Sequence, residues 1–165
     1  MNSLNSNMRF GGWGTLDHVF DEKKRNVFLR FLKNVLRVKK PVYAPFDKTV
    51  DDFTVPASRL PQDFLDRWAS RGLSVGSADR LVHAVGKSYR DLVRLRSNAI
   101  EHFPDGVLFL NSSDDLLDLF DEAKSAGVVL VPFGGGTGVV GGTECITVDN
   151  KPVVVVDLKK MNHLV

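Results

Sequence analysis

Six glycines fall within nine residues at Gly134-Gly135-Gly136-Thr137-Gly138-Val139-Val140-Gly141-Gly142, directly after Pro132-Phe133. The apolar run Val128-Val129-Leu130-Val131 precedes them and reads as a buried strand. A second run, Val153-Val154-Val155-Val156, follows and reads the same way. A chain that leaves a strand through three successive glycines can turn tightly enough to aim several amide N–H groups at one place. That is an anion nest, suited to a phosphate or diphosphate. So many glycines are costly to order, which argues against a merely structural turn. The expected ligand-binding residues are Pro132, Phe133, Gly134, Gly135, Gly136, Thr137, Gly138, Val139, Gly141 and Gly142. Backbone N–H groups and the Thr137 hydroxyl can cradle a diphosphate but cannot abstract a proton or accept a hydride. The loop is therefore a binding element, and no catalytic residue is assigned.

Two familiar phosphate loops do not fit. A P-loop needs Gly-Lys-Ser/Thr after its glycines, and here Thr137 is followed by Gly138-Val139. A Rossmann turn opens straight into a helix and places an acid at the end of the next strand. Gly141-Gly142 makes an immediate helix poor, although Asp157 stands at the end of the next strand.

Little else in the chain carries chemistry. His18, His83, His102 and His163 are widely spaced and lack companion ligands, so no metal site is expected. Cys145 has no basic partner in sequence and reads as a small packing residue. As the only cysteine it excludes an internal disulfide. A net charge of +2, without aromatic residues interleaved in a basic stripe, gives no support for nucleic-acid binding. No apolar run approaches the roughly 20 residues of a membrane span, and the N-terminus has no secretory apolar core. The expected location is the cytoplasm, with peripheral membrane contact as its variant.

Texture changes along the chain. Residues 1–20 are expected to be an irregular arm holding Phe10 and Trp13. Over 21–40, Val27, Phe28, Phe31, Leu32, Val35 and Leu36 recur at helical spacing, and Pro41 closes the segment. That segment sets Lys23, Lys24, Arg25, Arg30, Lys33, Arg37, Lys39 and Lys40 against Asp21 and Glu22, a local excess of +6. A basic amphipathic helix of this kind suits an anionic membrane or another protein surface. Pro41, Pro45 and Pro56 mark an extended linker. A short helix runs from Pro61 to Ser70, ended by Gly72, and another is capped by Ser77, with Gly86 dividing it. From Pro104 the pattern becomes strand, helix, strand. Val107 to Leu110 is followed by a helix capped at Ser112 or Ser113, which buries Leu116, Leu117, Leu119, Phe120 and Ala123 and ends at Gly127. The fold class is α+β: a mostly helical region over 1–100, then the βαβ start of a parallel sheet over 101–165. A chain stopping just after so apolar a strand is expected to be part of a larger protein, and its exposed strand surface to favour self-association.

Three segments carry a family resemblance. His83-Ala84-Val85-Gly86-Lys87-Ser88-Tyr89-Arg90-Asp91-Leu92 with Arg94-Leu95-Arg96, Pro104-Asp105-Gly106-Val107, and Asp157-Leu158-Lys159-Lys160-Met161-Asn162-His163-Leu164 surround the Pro-Phe-Gly-Gly-Gly-Thr loop. In this order they resemble FAD-linked oxidases with a vanillyl-alcohol-oxidase/PCMH-type FAD-binding domain, most closely the alkyldihydroxyacetonephosphate synthase branch. Gly12-Trp13-Gly14 is similar to a Trp-Gly element near the start of those enzymes. The resemblance implies that residues 101–165 begin an FAD-binding domain whose glycine loop holds the FAD diphosphate. It also implies that catalytic side chains lie outside this chain, so the piece alone is expected to be inactive. Covalent members attach FAD through a histidine in this loop. Here Gly138 stands where members carry Ser or His, and Asn111 where several carry Pro, so the FAD implied is non-covalent. The implied substrate is lipid-like, an acyl-dihydroxyacetone phosphate exchanging its acyl group for a fatty alcohol. The alternatives are a 2-hydroxy acid in an FAD dehydrogenase, or a non-enzymatic partner- or membrane-binding role for the 21–40 helix.

Overall fold

The computed structural model describes residues 9–14, 17, 21–39, 46, 48–147 and 149–162. His18, Lys40, Pro41, Pro45, His163, Leu164 and Val165, all used in the sequence reading, lie outside them. The chain divides into two units, Met1–Asp47 and Lys48–Val165. The boundary drawn at residue 100 from texture falls inside the second unit.

In the first unit, helix α1 covers Glu22–Asn34. Asp21 caps it, its carboxylate accepting from the Lys24 N–H at 2.8 Å. The helix is shorter than the expected 21–40: Val35 is its C-cap, and Arg37 has φ 53°, a left-handed conformation that cannot continue an α-helix. Lys33 is therefore the basic residue of the last turn, and Arg37 and Lys39 lie beyond it. Phe10 packs edge-on against Phe46, with ring centroids 5.6 Å apart.

The second unit holds α2 (Gln62–Ala69), β1 (Leu73–Ser74), α3 (Ser77–Val82), α4 (Tyr89–Ser97), β2 (Gly106–Phe109), α5 (Ser113–Ala126), β3 (Val129–Phe133) and β4 (Val153–Asp157). Gly86 does fall in a break, since 83–88 separates α3 from α4. Ser77 opens α3 but Gly76 is its cap, whereas Ser112 caps α5 through the Asp115 N–H. Gly127 ends α5 at φ 66°.

The sheet order is β1-β2-β4-β3. β4 lies between β2 and β3 and pairs in parallel with both. The last strand in sequence thus enters the middle of the sheet, and all five of its residues are buried. The run at 128–131 corresponds to β3, which extends to Phe133 and lies at the sheet edge, half-buried rather than fully buried. β1, too short for a period-two pattern to register, pairs antiparallel with β2 at Leu73↔Leu108.

Alternation along the strands sorts the core into two faces. Leu108, Val154 and Val156 pack with Phe64 and Trp68 of α2 and Leu119 and Ala123 of α5. Val107, Val153, Val155 and Phe133 pack with Cys145 on the other face. Each large side chain removed from water here contributes about 1.5–3 kcal/mol. Leu117 and Phe120, expected inside, are 68% and 54% exposed. α5 meets the sheet along the narrower stripe of Leu116, Leu119 and Ala123, and the other two positions lie off that stripe.

Candidate cofactor site at the ends of the parallel strands

The parallel register brings Phe109, Asp157 and Phe133 side by side at the carboxyl ends of β2, β4 and β3. In open α/β sheets, ligands bind beyond these ends. Here the glycine loop departs: Phe133 is the last residue of β3 and Gly134 the first beyond it.

The loop is held at its ends. The Leu158 N–H donates to Phe133 O at 2.9 Å, and the Glu144 N–H to Gly141 O at 3.0 Å. The Glu144 carboxylate pairs with Arg94 of α4, which also binds Asp91 at 2.6 Å. None of the backbone N–H groups of residues 134–142 donates to a protein acceptor among the described residues. Near the loop's C-terminal end, Thr143 Oγ1 and Arg94 Nε are buried with no hydrogen-bond partner among the described residues. Among the described residues no helix begins directly after Gly142, in line with the expectation from Gly141-Gly142.

The glycines divide into two kinds. Gly136 has φ 68°, and a Cβ there would stand 2.6 Å from Phe133 Cζ. Gly141 has φ 81°. Those two positions require glycine for the backbone itself. Gly134, Gly138 and Gly142 do not: none has a left-handed φ, and a Cβ at any of them meets nothing within 4 Å. A Cβ at Gly135 would touch only Thr137 Cγ2, at 3.9 Å. At these four positions the absent side chains leave the exposed loop backbone unobstructed. Backbone N–H groups without protein acceptors among the described residues, on a backbone that side chains do not cover, are the chemistry a diphosphate requires. Of the other expected residues, Pro132 is exposed within β3, whereas the Phe133 ring is buried, leaving only its backbone to border the loop. Thr137 and Val139 are exposed on the loop.

Below the loop lies a polar pair that sequence reading left unconnected. His83, 3% exposed, places its ring 4.4 Å from the Phe133 ring and 5.8 Å from that of Phe109. Its Nδ1 donates to the Asp79 carbonyl at 2.7 Å, because a carbonyl only accepts. Its Nε2 lies 3.0 Å from Asp157 Oδ2, with one hydrogen between them. Burial pushes the Asp157 carboxyl up. The hydrogen bonds from His83 and the Lys159 N–H, with the Lys159 charge, outweigh burial and hold the carboxyl below its ordinary value. His83 and Asp157 are 74 residues apart, so no local spacing joins them. Cys145 is buried, and its thiol is pushed up to about 12 by burial and by the nearby Asp105 and Glu144 charges, as befits a packing residue rather than a nucleophile.

A polar cavity of about 290 Å³ lies elsewhere in this unit, lined by Arg59, Arg80, His102, Asp105 and Cys145 among others. Its Asp105, Arg59 and Arg80 charges are used internally. Asp105 accepts from the Arg59 side chain and from the Arg59 and Val153 N–H groups, and Arg80 donates to the carbonyls of Pro56 and Pro104. Among the described residues no group of three or more His, Cys, Asp or Glu side chains is placed to hold a metal ion. No helix among them is long and apolar enough to cross a membrane.

Residues 104–165 match the family model of the FAD binding domain. This segment is similar in sequence to FAD-binding domains, and the chain to alkyldihydroxyacetonephosphate synthases. The Trypanosoma brucei brucei enzyme of that name is 41% identical over 86 residues, covering 52% of this chain and 14% of the relative. The Dictyostelium discoideum synthase is 33% identical over 85 residues, again 52% and 14%. The Caenorhabditis elegans synthase is 22% identical over 139 residues, covering 83% of this chain and 23% of the relative. Two solved structures of alkyldihydroxyacetonephosphate synthase superpose over the whole chain, with TM-scores of 0.79 and 0.83 at 21% and 20% identity. Those likenesses show the fold. This chain spans 35% of each solved chain and 14–23% of the three relatives.

Proposed function

We propose that the Gly134–Gly142 loop holds the diphosphate of non-covalent FAD, and that the whole protein is an FAD-linked alkyl-ether-lipid synthase acting on a lipid-like substrate. The observation that carries the first part is the set of four glycines, Gly134, Gly135, Gly138 and Gly142, whose missing side chains meet at most one distant methyl. A turn kept for its own shape needs glycine at Gly136 and Gly141 only. The relatives' names support the second part and favour the synthase over a 2-hydroxy-acid dehydrogenase. Bound flavin supplies the reactive ring system, while the residues of this loop supply amide donors and a surface without side chains. Pro132 and Phe133 border the seat through their backbone, and Thr137 adds a hydroxyl.

The test is calorimetric titration of the chain with FAD, together with its absorbance spectrum as isolated. A flavin spectrum or a micromolar titration is expected, and Gly135→Val should abolish it. Wild-type FAD content in Gly135→Val would refute the assignment of the loop.

One observation favours a second role in the first unit. α1 contains no buried residue, and Val27, Phe28, Phe31, Val35 and Leu36 along and just beyond it are 46–62% exposed. With the basic residues around them, these side chains suit an anionic membrane surface. Cosedimentation with anionic vesicles should fall when Lys33 and Arg37 are both changed to Glu; unchanged binding counts against this role.

A further inference from the structure

Residues 83–88, between α3 and α4, form a strap that meets the glycine loop at its middle. The Lys87 N–H donates to Gly138 O at 2.9 Å. Among the described residues this is the one hydrogen bond that residues 134–140 make with the rest of the protein. Gly86 lies so close that a Cβ there would stand 2.3 Å from Gly138 O and 3.3 Å from Asp91 Oδ2. Asp91 has little freedom to yield. It is 2% exposed, accepts from the Ser88 N–H at 3.0 Å, and is bound by Arg94 at 2.6 Å. A side chain at position 86 must therefore push Gly138 away.

The strap is itself anchored at both ends. His83 fixes its start to Phe133 and Asp157, at the strand ends from which the loop departs. Ser88 fixes its finish as the N-cap of α4, where its hydroxyl and the Asp91 carboxylate bond reciprocally to each other's N–H.

The consequence for the loop follows from peptide geometry. In a trans peptide unit the C=O and the N–H point in opposite directions. With the Gly138 carbonyl turned onto the strap, the N–H of the same unit, that of Val139, is turned away from it. That N–H has no protein acceptor among the described residues, and Val139 is 55% exposed. We infer that Gly86 and the Lys87 backbone N–H are positioning groups for the diphosphate seat: they orient the Gly138–Val139 peptide so that its N–H faces the ligand. This rests on the reading of the loop as the FAD diphosphate site. The absent side chain at Gly86 is thus as necessary to that site as those absent within the loop, although Gly86 touches no ligand itself.

The wild-type chain, Gly86→Ala, Lys87→Ala and Lys87→Pro are compared by FAD titration and, without FAD, by amide hydrogen exchange. In the wild type the residue-87 amide is expected to be protected and the Val139 amide to exchange freely. Gly86→Ala is expected to lose the residue-87 protection and weaken FAD binding tenfold or more, with β4 amides still protected. Lys87→Pro removes the donor without adding a Cβ at position 86 and is expected to give the same loss of affinity. Lys87→Ala keeps the backbone donor and is expected to keep the residue-87 protection. Wild-type affinity in both Gly86→Ala and Lys87→Pro overturns the inference, as does unchanged residue-87 protection in Gly86→Ala. A wild-type chain that binds no FAD overturns the diphosphate reading, while the exchange data still decide whether the strap sets the loop.

Discussion

Replacing Gly136 and Gly138 by alanine, one at a time, separates what the loop does for the fold from what it does for a ligand. At Gly136 the added methyl meets two obstacles. The residue has φ 68°, where an alanine costs about 1–2 kcal/mol, and its Cβ would stand 2.6 Å from the buried Phe133 ring. Overpacking of that kind adds about 1–3 kcal/mol. The combined loss of about 2–5 kcal/mol corresponds, at about 2–4 °C per kcal/mol for a chain of this size, to a Tm lower by roughly 4–20 °C. At Gly138 the methyl meets no protein atom within 4 Å and the backbone is not left-handed, so stability should stay within about 0.5 kcal/mol of wild type. FAD affinity should nevertheless fall about tenfold or more, which is about 1.4 kcal/mol, because the methyl projects into the space assigned to the diphosphate. Urea unfolding and FAD titration of both variants read these effects separately. If Gly138→Ala binds FAD as well as wild type, the open space above the loop is not the diphosphate seat. If it destabilises the chain as much as Gly136→Ala, the division of the glycines into two kinds is wrong.

Three further outcomes are expected. Asp105→Ala removes a 2%-exposed carboxylate that accepts from Arg59 and from the Val153 N–H, and should cost about 3 kcal/mol in a urea melt; a loss below about 1 kcal/mol would show these bonds to be redundant. Asp105 and Asp157 are both held below the ordinary carboxylate value: burial raises each, and hydrogen bonds with Arg59 and Val153, or with His83 and Lys159, outweigh it. Depressed folded values mean that their contribution is complete above the unfolded value of about 3.9 and is lost as pH falls through the folded values; Asp105→Asn should therefore lose less stability than wild type between about pH 5 and pH 2, and parallel acid curves would contradict this. With its thiol pushed up to about 12 and its side chain buried, Cys145 should resist iodoacetamide at pH 8 in the native chain and react in urea; rapid native labelling would place it in an accessible site.

The sequence by itself determined the elements with strong local codes. Continuous valines made β4 a strand buried on both faces, Ser112 and Gly127 bracketed α5, and the glycine run could only be a loop. The same run is what motivates the proposed anion seat, because a diphosphate needs amide donors and no side chains, and that requirement is written in composition. Tertiary structure decided everything that joins distant segments. β4 entered the sheet between β2 and β3, a choice of hydrogen-bonding partner that no periodicity records. β1, with two residues, was too short to show a pattern, and Leu117 and Phe120 turned outward because α5 meets the sheet along a narrower stripe than its apolar content allows. The groups around the loop were hidden for the same reason. His83 and Asp157, and Gly86 and Gly138, acquire their roles only when folding brings together positions many residues apart. The glycine at 86 looked like a helix breaker because its effect on helix propensity is local, whereas the 2.3 Å approach that requires it exists only across the folded chain.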